Sequence, residues 1–322
     1  MTDKEKYIEF CEKHPEIPLF QQAWWQACVA GERAWNVILI EENHEIVAFM
    51  PYMLVKKLWF RMILQPLLSQ CNGIWIKDGL TNAQVETIVE RVYQKVEELN
   101  VAWFQQFFPK NFKTLSPFEK NGYECVSRRT FVLYDLQREE SELFKGFSSA
   151  KQRQIRKAQR NGFMVREGAM TAKSFLYFHN FCLAQKDERN MNRQSVELSL
   201  CREAVKRGQG TILWAVDEED KAQAALFLVW DRRSAYYLIP TYRQDGKTTG
   251  ASSLLVWEAI RYARNLGLQV FDFEGGNQEN IARSYAQFGT TSVEYPMVEC
   301  MNSGVLRVGR RVLQSIHRTH KK

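Results

Sequence analysis

The chain lacks the cysteine and histidine patterns that would mark a disulfide framework or a metal site. Its seven cysteines (Cys11, Cys28, Cys71, Cys125, Cys182, Cys201 and Cys300) are scattered, odd in number, and form no Cys-x-x-Cys pair. They read as reduced thiols in a cytoplasmic protein. His14, His44, His317 and His320 show no ligand spacing, and no metal is expected. His179 and Cys182 lie three apart on a predicted helix, but no partner set for a catalytic thiol is found, so they read as packing residues. No run of about 18 apolar residues is present, which argues against a membrane span. The opening Met1-Thr2-Asp3-Lys4-Glu5-Lys6 is charged and leads into no apolar segment, so no secretory signal is expected. There is no low-complexity stretch.

Present instead is material for two cores: 322 residues, 45% of them hydrophobic. The net charge of +7 is local. Residues 304–322 hold Arg307, Arg310, Arg311, Arg318, Lys321 and Lys322 with no acid, and residues 151–160 hold Lys151, Arg153, Arg156, Lys157 and Arg160 with none. Without these two blocks the chain is net acidic. Local basicity favours an anionic partner docking at particular places.

The chain also contains one pattern twice, at an offset of 167 residues and without gaps. Leu255, Val256, Ala259, Ile260, Ala263 and Leu266 fall on Ile88, Val89, Val92, Tyr93, Val96 and Leu99. Phe271, Tyr285 and Gly289 fall on Phe104, Phe118 and Gly122. The three- and four-residue steps are those of a buried helix face, and a strand-like run follows each. The first copy continues Gln105-Gln106-Phe107-Phe108-Pro109, the second Asp272-Phe273-Glu274-Gly275-Gly276-Asn277. Only the later copy carries polar chemistry, so it is expected to build the site while the earlier one supports it.

Around Glu41-Glu42-Asn43-His44-Glu45 the pattern predicts a strand pair, with Pro51 ending the second strand or placing it at an edge. Helices are predicted at 83–99, 171–186, 195–207, 250–265 and 278–287, and a strand at 268–273. The second copy reads β-β-β-loop-α-β-α-β, a mixed sheet with helices on its faces. Its loop, Tyr242 to Ser253, sits between strand and helix. Gly246 and Gly250 allow backbone N–H groups to turn toward a ligand, the helix N-terminus favours an anion, and Arg243 and Lys247 add charge. An ordinary loop with a Ser/Thr cap has the same spacing.

Residues 236–289 resemble the GNAT-like acyltransferase superfamily, within it the Fem-type branch of peptidoglycan-bridge aminoacyltransferases and their acetyltransferase-like relatives. The residues that carry the resemblance are the strand Tyr236-Tyr237-Leu238-Ile239-Pro240, the glycine loop, Ser253-Leu254-Leu255-Val256-Trp257-Glu258-Ala259-Ile260, Phe271-Asp272-Phe273-Glu274-Gly275-Gly276 and Tyr285-Ala286-Gln287-Phe288-Gly289. The basic run Lys151 to Ala158 is similar to the opening of the family's second domain. The implied fold is α/β (α+β): two tandem GNAT-like domains, each a mixed sheet flanked by helices. The expected bounds are 1–145 for a supporting domain, 146–303 for the acyl-transfer domain, and 304–322 for a basic amphipathic tail packing on the first domain.

The resemblance implies an acyltransferase with one centre facing a cleft between domains. It would transfer an acyl or aminoacyl group to an amine on an anionic cell-envelope precursor, lipid-linked or nucleotide-linked. Asp272 and Glu274, alternating on one strand and so sharing a face, are candidates to take the amine proton. Tyr237 and Tyr242 are candidates to donate to the oxyanion or the leaving group. Arg243, Gly246, Lys247 and Gly250 would hold the donor. Arg153, Arg156 and Lys157, on one helix face, would clamp phosphate, with Asn277 and Arg283 contacting substrate. No permanently bound cofactor is implied; the co-substrate is acyl-CoA or aminoacyl-tRNA. Members that use tRNA carry a lysine in the last helix, where this chain has Ala286, and Arg283 one turn earlier is the candidate replacement. The tail, with Val305, Val308, Val312, Leu313 and Ile316 on one stripe, could instead lie on the inner membrane face. A non-catalytic binding protein for a phosphorylated envelope precursor is the alternative reading.

Overall fold

A computed structural model describes every residue except 113, 169–170, 245–247, 309 and 311–322. In chain order the elements begin with helices α1 (Asp3–Lys13) and α2 (Ala23–Ala30) and strands β1 (Trp35–Glu42), β2 (Glu45–Lys57), β3 (Phe60–Leu64) and β4 (Trp75–Ile76). Then come α3 (Asn82–Glu98), β5 (Trp103–Phe107), α4 (Ser116–Lys120), β6 (Glu124–Tyr134), α5 (Glu140–Lys145), α6 (Ser149–Arg160) and β7 (Met164–Glu167). The remainder is α7 (Ala172–Ala184), α8 (Gln194–Lys206), β8 (Gly210–Val216), β9 (Ala222–Trp230), β10 (Ser234–Tyr242), α9 (Ala251–Asn265), β11 (Val270–Asp272), α10 (Glu279–Ala286) and β12 (Thr291–Met301).

From α3 to β6 the 167-residue offset carries each element onto a counterpart in the later copy. It carries β6 onto β12 end to end, and the C-terminal end of α3 onto that of α9. The chain divides into two compact units, Met1–Arg128 with Glu294–Lys322, and Arg129–Val293. The expected bounds placed the last strand in the later domain and the cut at 145/146. The observed divisions instead fall inside β6 and β12.

In the first unit, β1, β2 and β3 form an antiparallel meander and α3 crosses over to β5, which runs parallel to β3. Antiparallel to β5 lies the end of β12, with Met297 opposite Phe107 and Met301 opposite Trp103. Ile88, Val89, Val92 and Val96 of α3 pack on Phe104, Phe118 and Val298. Thr81 caps α3 in a capping box with Gln84. Contrary to expectation, β2 runs straight through Pro51. That residue lies between the pairing of β2 with β4 at Ala48–Phe49 and with β3 at Met53–Lys57, so on that side the missing N–H breaks no ladder bond. The Pro51 carbonyl accepts from Gln106 Nε2 at 2.9 Å.

In the second unit, β7, β8, β9 and β10 form an antiparallel run, α9 crosses over, and β11 lies parallel to β10. Antiparallel to β11 lies the end of β6, Val132 to Tyr134. Leu255, Ala259, Ile260 and Ala263 of α9 pack on Phe271, Phe273 and Leu228. The two units thus share one plan, meander, crossover helix, parallel strand. Each is completed by a strand that the repeat assigns to the other half.

Phe104 and Phe271 are equivalent under the repeat and both are fully buried. Phe104→Ala and Phe271→Ala are each expected to cost about 3–5 kcal/mol. Chemical denaturation with hydrogen exchange should locate the first loss in α3 and β5 and the second in α9 and β11. Loss of protection in the opposite unit alone would contradict the repeat.

Candidate functional site

In the second unit β10, α6, α9 and α10 line a cleft of about 490 Å³. Tyr237, Pro240 and Tyr242 come from β10; Ser252, Ser253 and Val256 from α9, with Gly250 just ahead of it; Ser284 and Tyr285 from α10. The register of β10 against β11 decides which side chains reach it. Tyr236 lies opposite Asp272, so those two share a face and Tyr237 points to the other. There its ring meets Phe271, Phe273 and Tyr285, with centroids 6.3, 5.5 and 6.1 Å away. Burial, then Tyr285 and Tyr242, holds the Tyr237 phenol well above the usual tyrosine range. Tyr285 is raised by burial, then by the charges of Glu274 and Asp272 with Tyr242. Both remain protonated at neutral pH and can donate.

The cation in this cleft is Lys151, from the first turn of α6. Its Nζ donates to Ser284 Oγ at 3.4 Å and lies 4.9 Å from the Phe288 ring centre. Burial lowers its pKa, and no carboxylate pairs with it among the described residues. Next to it, Gln154 Oε1 accepts from Ser253 Oγ at 2.8 Å.

Gly250 holds φ at +85°, and a Cβ there would lie 2.2 Å from the Gln154 carbonyl oxygen. Glycine is required because α6 crosses here, in addition to any part in binding. Lys157 Nζ donates to the Thr248 carbonyl at 2.9 Å and fastens the loop to α6.

Of the residues singled out from sequence, Tyr237, Tyr242 and Gly250 line the cleft. Gly246 and Lys247 lie outside the described residues. The Arg243 guanidinium stands over Phe181 at 5.4 Å, away from the lining. Arg153, Arg156 and Lys157 are exposed, and Arg156 stands over Phe144 at 5.2 Å. Ile155 and Ala158 are the buried residues of α6, so Lys151 and Gln154, not the arginine row, face the cleft. Asn277 is exposed and accepts from the Arg129 N–H at 3.2 Å. Arg283 is also exposed, its Nε donating to the Glu279 carbonyl at 3.4 Å. It is not in the lining of the cleft, where Lys151 stands.

Asp272 and Glu274 do not share a strand face. The strand ends at Asp272, and Glu274 sits in the following turn with φ +55°. Asp272 is fully buried; Thr130 Oγ1 donates to its Oδ1 at 2.5 Å and the Glu274 N–H at 2.8 Å. The Gly275 N–H donates in turn to Thr130 Oγ1 at 3.2 Å. Asp272 thus ties the turn together from the face opposite Tyr237, and the two are not brought together. Lys151, Gln154, Ser284 and Tyr285 were missed. Lys151 was visible as one charge in a basic run and Tyr285 as a position of the repeat, and both stand in segments that carry the family resemblance, but neither was singled out for a role.

Residues 148–280, within the second unit, match the Acetyltransferase (GNAT) domain family. Among solved structures, FemX aligns with TM-score 0.70 at 12% identity over 92% of this chain and 96% of its own. The C-terminal domain of a putative lysylphosphatidylglycerol synthetase from Agrobacterium fabrum aligns with TM-score 0.60 at 11% identity, over 94% and 93%. A tandem GNAT protein from the clavulanic acid biosynthesis pathway aligns with TM-score 0.56 at 9% identity, over 94% and 95%. No curated protein matches in sequence. The fold is therefore a tandem GNAT-like one, with Fem-type structures among its neighbours.

Asp272→Asn is expected to lose about 1–3 kcal/mol of stability, because it disturbs a buried three-way hydrogen-bond set. Gly250→Ala combines a strained φ with a backbone clash and should cost about 2–4 kcal/mol. Thermal and denaturant unfolding of both variants check this; an unaltered midpoint for Gly250→Ala would show that α6 does not hold the loop.

Proposed function

We propose that the second unit transfers an acyl group from a thioester donor of the acyl-CoA kind to an amine. The acceptor class is an amine or amino sugar on an anionic envelope precursor. The observation that carries the reading is one cleft holding a desolvated lysine and two protonated phenols beside the start of α9. Lys151 attracts the anionic donor, and free N–H groups at the first turn of α9 favour the same charge. The acceptor amine attacks the thioester carbonyl. Tyr237 and Tyr285 donate to the oxyanion and then to the departing thiolate. Glu274, in the turn after β11 and outside the cleft lining, receives the amine proton through water. Asp272 holds the turn that carries it. Ala286 supports a CoA-like donor over aminoacyl-tRNA. The envelope acceptor is supported by the neighbours' names, FemX and lysylphosphatidylglycerol synthetase.

Acetyl-CoA at about 100 times its dissociation constant should stabilise the protein by about 2.7 kcal/mol. Lys151→Ala should weaken donor binding about tenfold or more, Lys151→Arg should restore part of it, and Arg243→Ala should change it little. Tyr237→Phe should lower kcat with labelled donor about 100-fold while leaving donor binding in place. Binding without turnover against a panel of amines would establish the non-catalytic alternative; absence of any shift would remove the donor from this cleft.

The lowered pKa of Lys151 gives a signed pH dependence. Between that value and the ordinary 10.5, the unfolded chain binds more protons than the folded one, so the lysine's contribution to stability rises with pH. Donor binding needs the ammonium and should fall over the same window. Comparing wild type with Lys151→Met at each pH isolates the effect; identical slopes for the two would refute it.

A further inference from the structure

The hairpin joining β2 and β3 ends in Leu58 and Trp59, which are 79% and 77% exposed. These are large apolar side chains at a tip where a soluble protein normally places polar residues. Leu58 also holds a positive φ of +56°, a backbone region that suits Gly or Asn and strains a leucine. Folding alone therefore favours a different residue there. On either side stand Lys56, Lys57 and Arg61, all exposed, with no acid between residues 54 and 64.

A second segment of the same unit reaches the same end of the sheet. The Ala102 N–H donates to the Arg61 carbonyl at 2.8 Å, and the Asn302 N–H donates to the Ala102 carbonyl at 3.0 Å. The chain then turns into helix at residues 304–308, where Val305 and Val308 are 68% and 61% exposed and Arg307 is exposed beside them. This turn is anchored: Arg310 pairs with Glu299 at 2.7 Å and stands over Trp103 at 5.7 Å.

We infer that the hairpin tip and this helical turn form one docking surface for an anionic lipid bilayer. A tryptophan with its polar N–H suits the headgroup level, and leucine and valine suit the acyl boundary below it. The flanking cations match an anionic leaflet, and this charge match is what favours a lipid surface over an apolar protein groove. The inference does not rest on the acyl-transfer reading, because its test reads partitioning alone.

The test is flotation of the full chain with phosphatidylcholine vesicles and with vesicles containing about a third phosphatidylglycerol. Binding is expected to the anionic vesicles only and to weaken in high salt, and each of Lys56→Gln, Lys57→Gln and Arg61→Gln should lower partitioning about fivefold. Leu58→Asn with Trp59→Ser should lower it at least tenfold while folding as well as wild type, because Asn accepts the positive φ. Quenching by brominated lipid should be weaker in Trp59→Ser than in wild type. Equal binding to both vesicle types would overturn the inference. So would wild-type binding by the Leu58/Trp59 double variant, including a case in which deleting residues 311–322 alone abolishes binding.

Discussion

The rest of the structure depends on one pairing rule: each half of the repeat gives its last strand to the sheet of the other. The strand β12 belongs by repeat to the later copy, yet its end pairs with β5; β6 belongs to the earlier copy, yet its end pairs with β11. Parallel strands such as β5 and β11 would otherwise be sheet edges with unpaired N–H and C=O groups. Residue 298 is consequently a core residue of the first unit, packed with Phe104 and Phe118, although it lies nearly two hundred residues further along the chain. Closing such long-range contacts costs loop entropy before any burial offsets it, which makes folding of either unit dependent on nearly the whole chain.

The same exchange reaches the chemistry. Thr130, which holds Asp272 and the Gly275 N–H, lies on β6 and so is contributed by the earlier copy. The turn that carries Glu274 is therefore shaped by a residue outside the copy that supplies the cleft. A duplicated ancestor whose halves kept their own strands would place the equivalent of Thr130, which is Met297 under the offset, at this position. A thioether cannot donate to a carboxylate. Strand exchange and a buried Asp272 are in this sense matched to each other.

Sequence revealed the repeat because the helix period is strong in α3 and α9, where buried residues recur at three- and four-residue steps. Tyr237, Tyr242 and Gly250, singled out from sequence, line the cleft within the second unit. Sequence missed β3 because Phe60-Arg61-Met62-Ile63-Leu64 follows a cationic, exposed turn and is too short to display a clear alternation. Strand partners were invisible, since a two-residue period states which face is buried and says nothing about the neighbour. In the basic helix only Ile155 and Ala158 are buried, and their burial places Lys151 and Gln154 at the cleft while the cations Arg153, Arg156, Lys157 and Arg160 stay exposed, a rotation that the charge pattern does not reveal. Asp272 misled for a related reason: the run after Phe271 has the polar alternation of a strand, but the positive φ of Glu274, Gly275 and Gly276 ends the strand after three residues.

The difference between the copies is then a matter of volume as well as polarity. Under the offset Phe108 is the counterpart of Gly275. In the first unit Phe108 is fully buried, edge-on to Phe112 and Phe118, and so close to Gly73 that a Cβ there would meet its ring at 2.5 Å. The space after that crossover is filled. In the second unit the corresponding turn holds two glycines, and a Cβ on Gly276 would strike Phe131 at 2.5 Å, so the chain packs tightly there without a side chain. Acyl transfer needs positioned donors and excluded water more than it needs a strong base. Under the proposed acyl transfer, two phenols and one lysine, buried or partly buried at the second unit's cleft, would serve as those donors, beside a crossover that the first copy fills with packing.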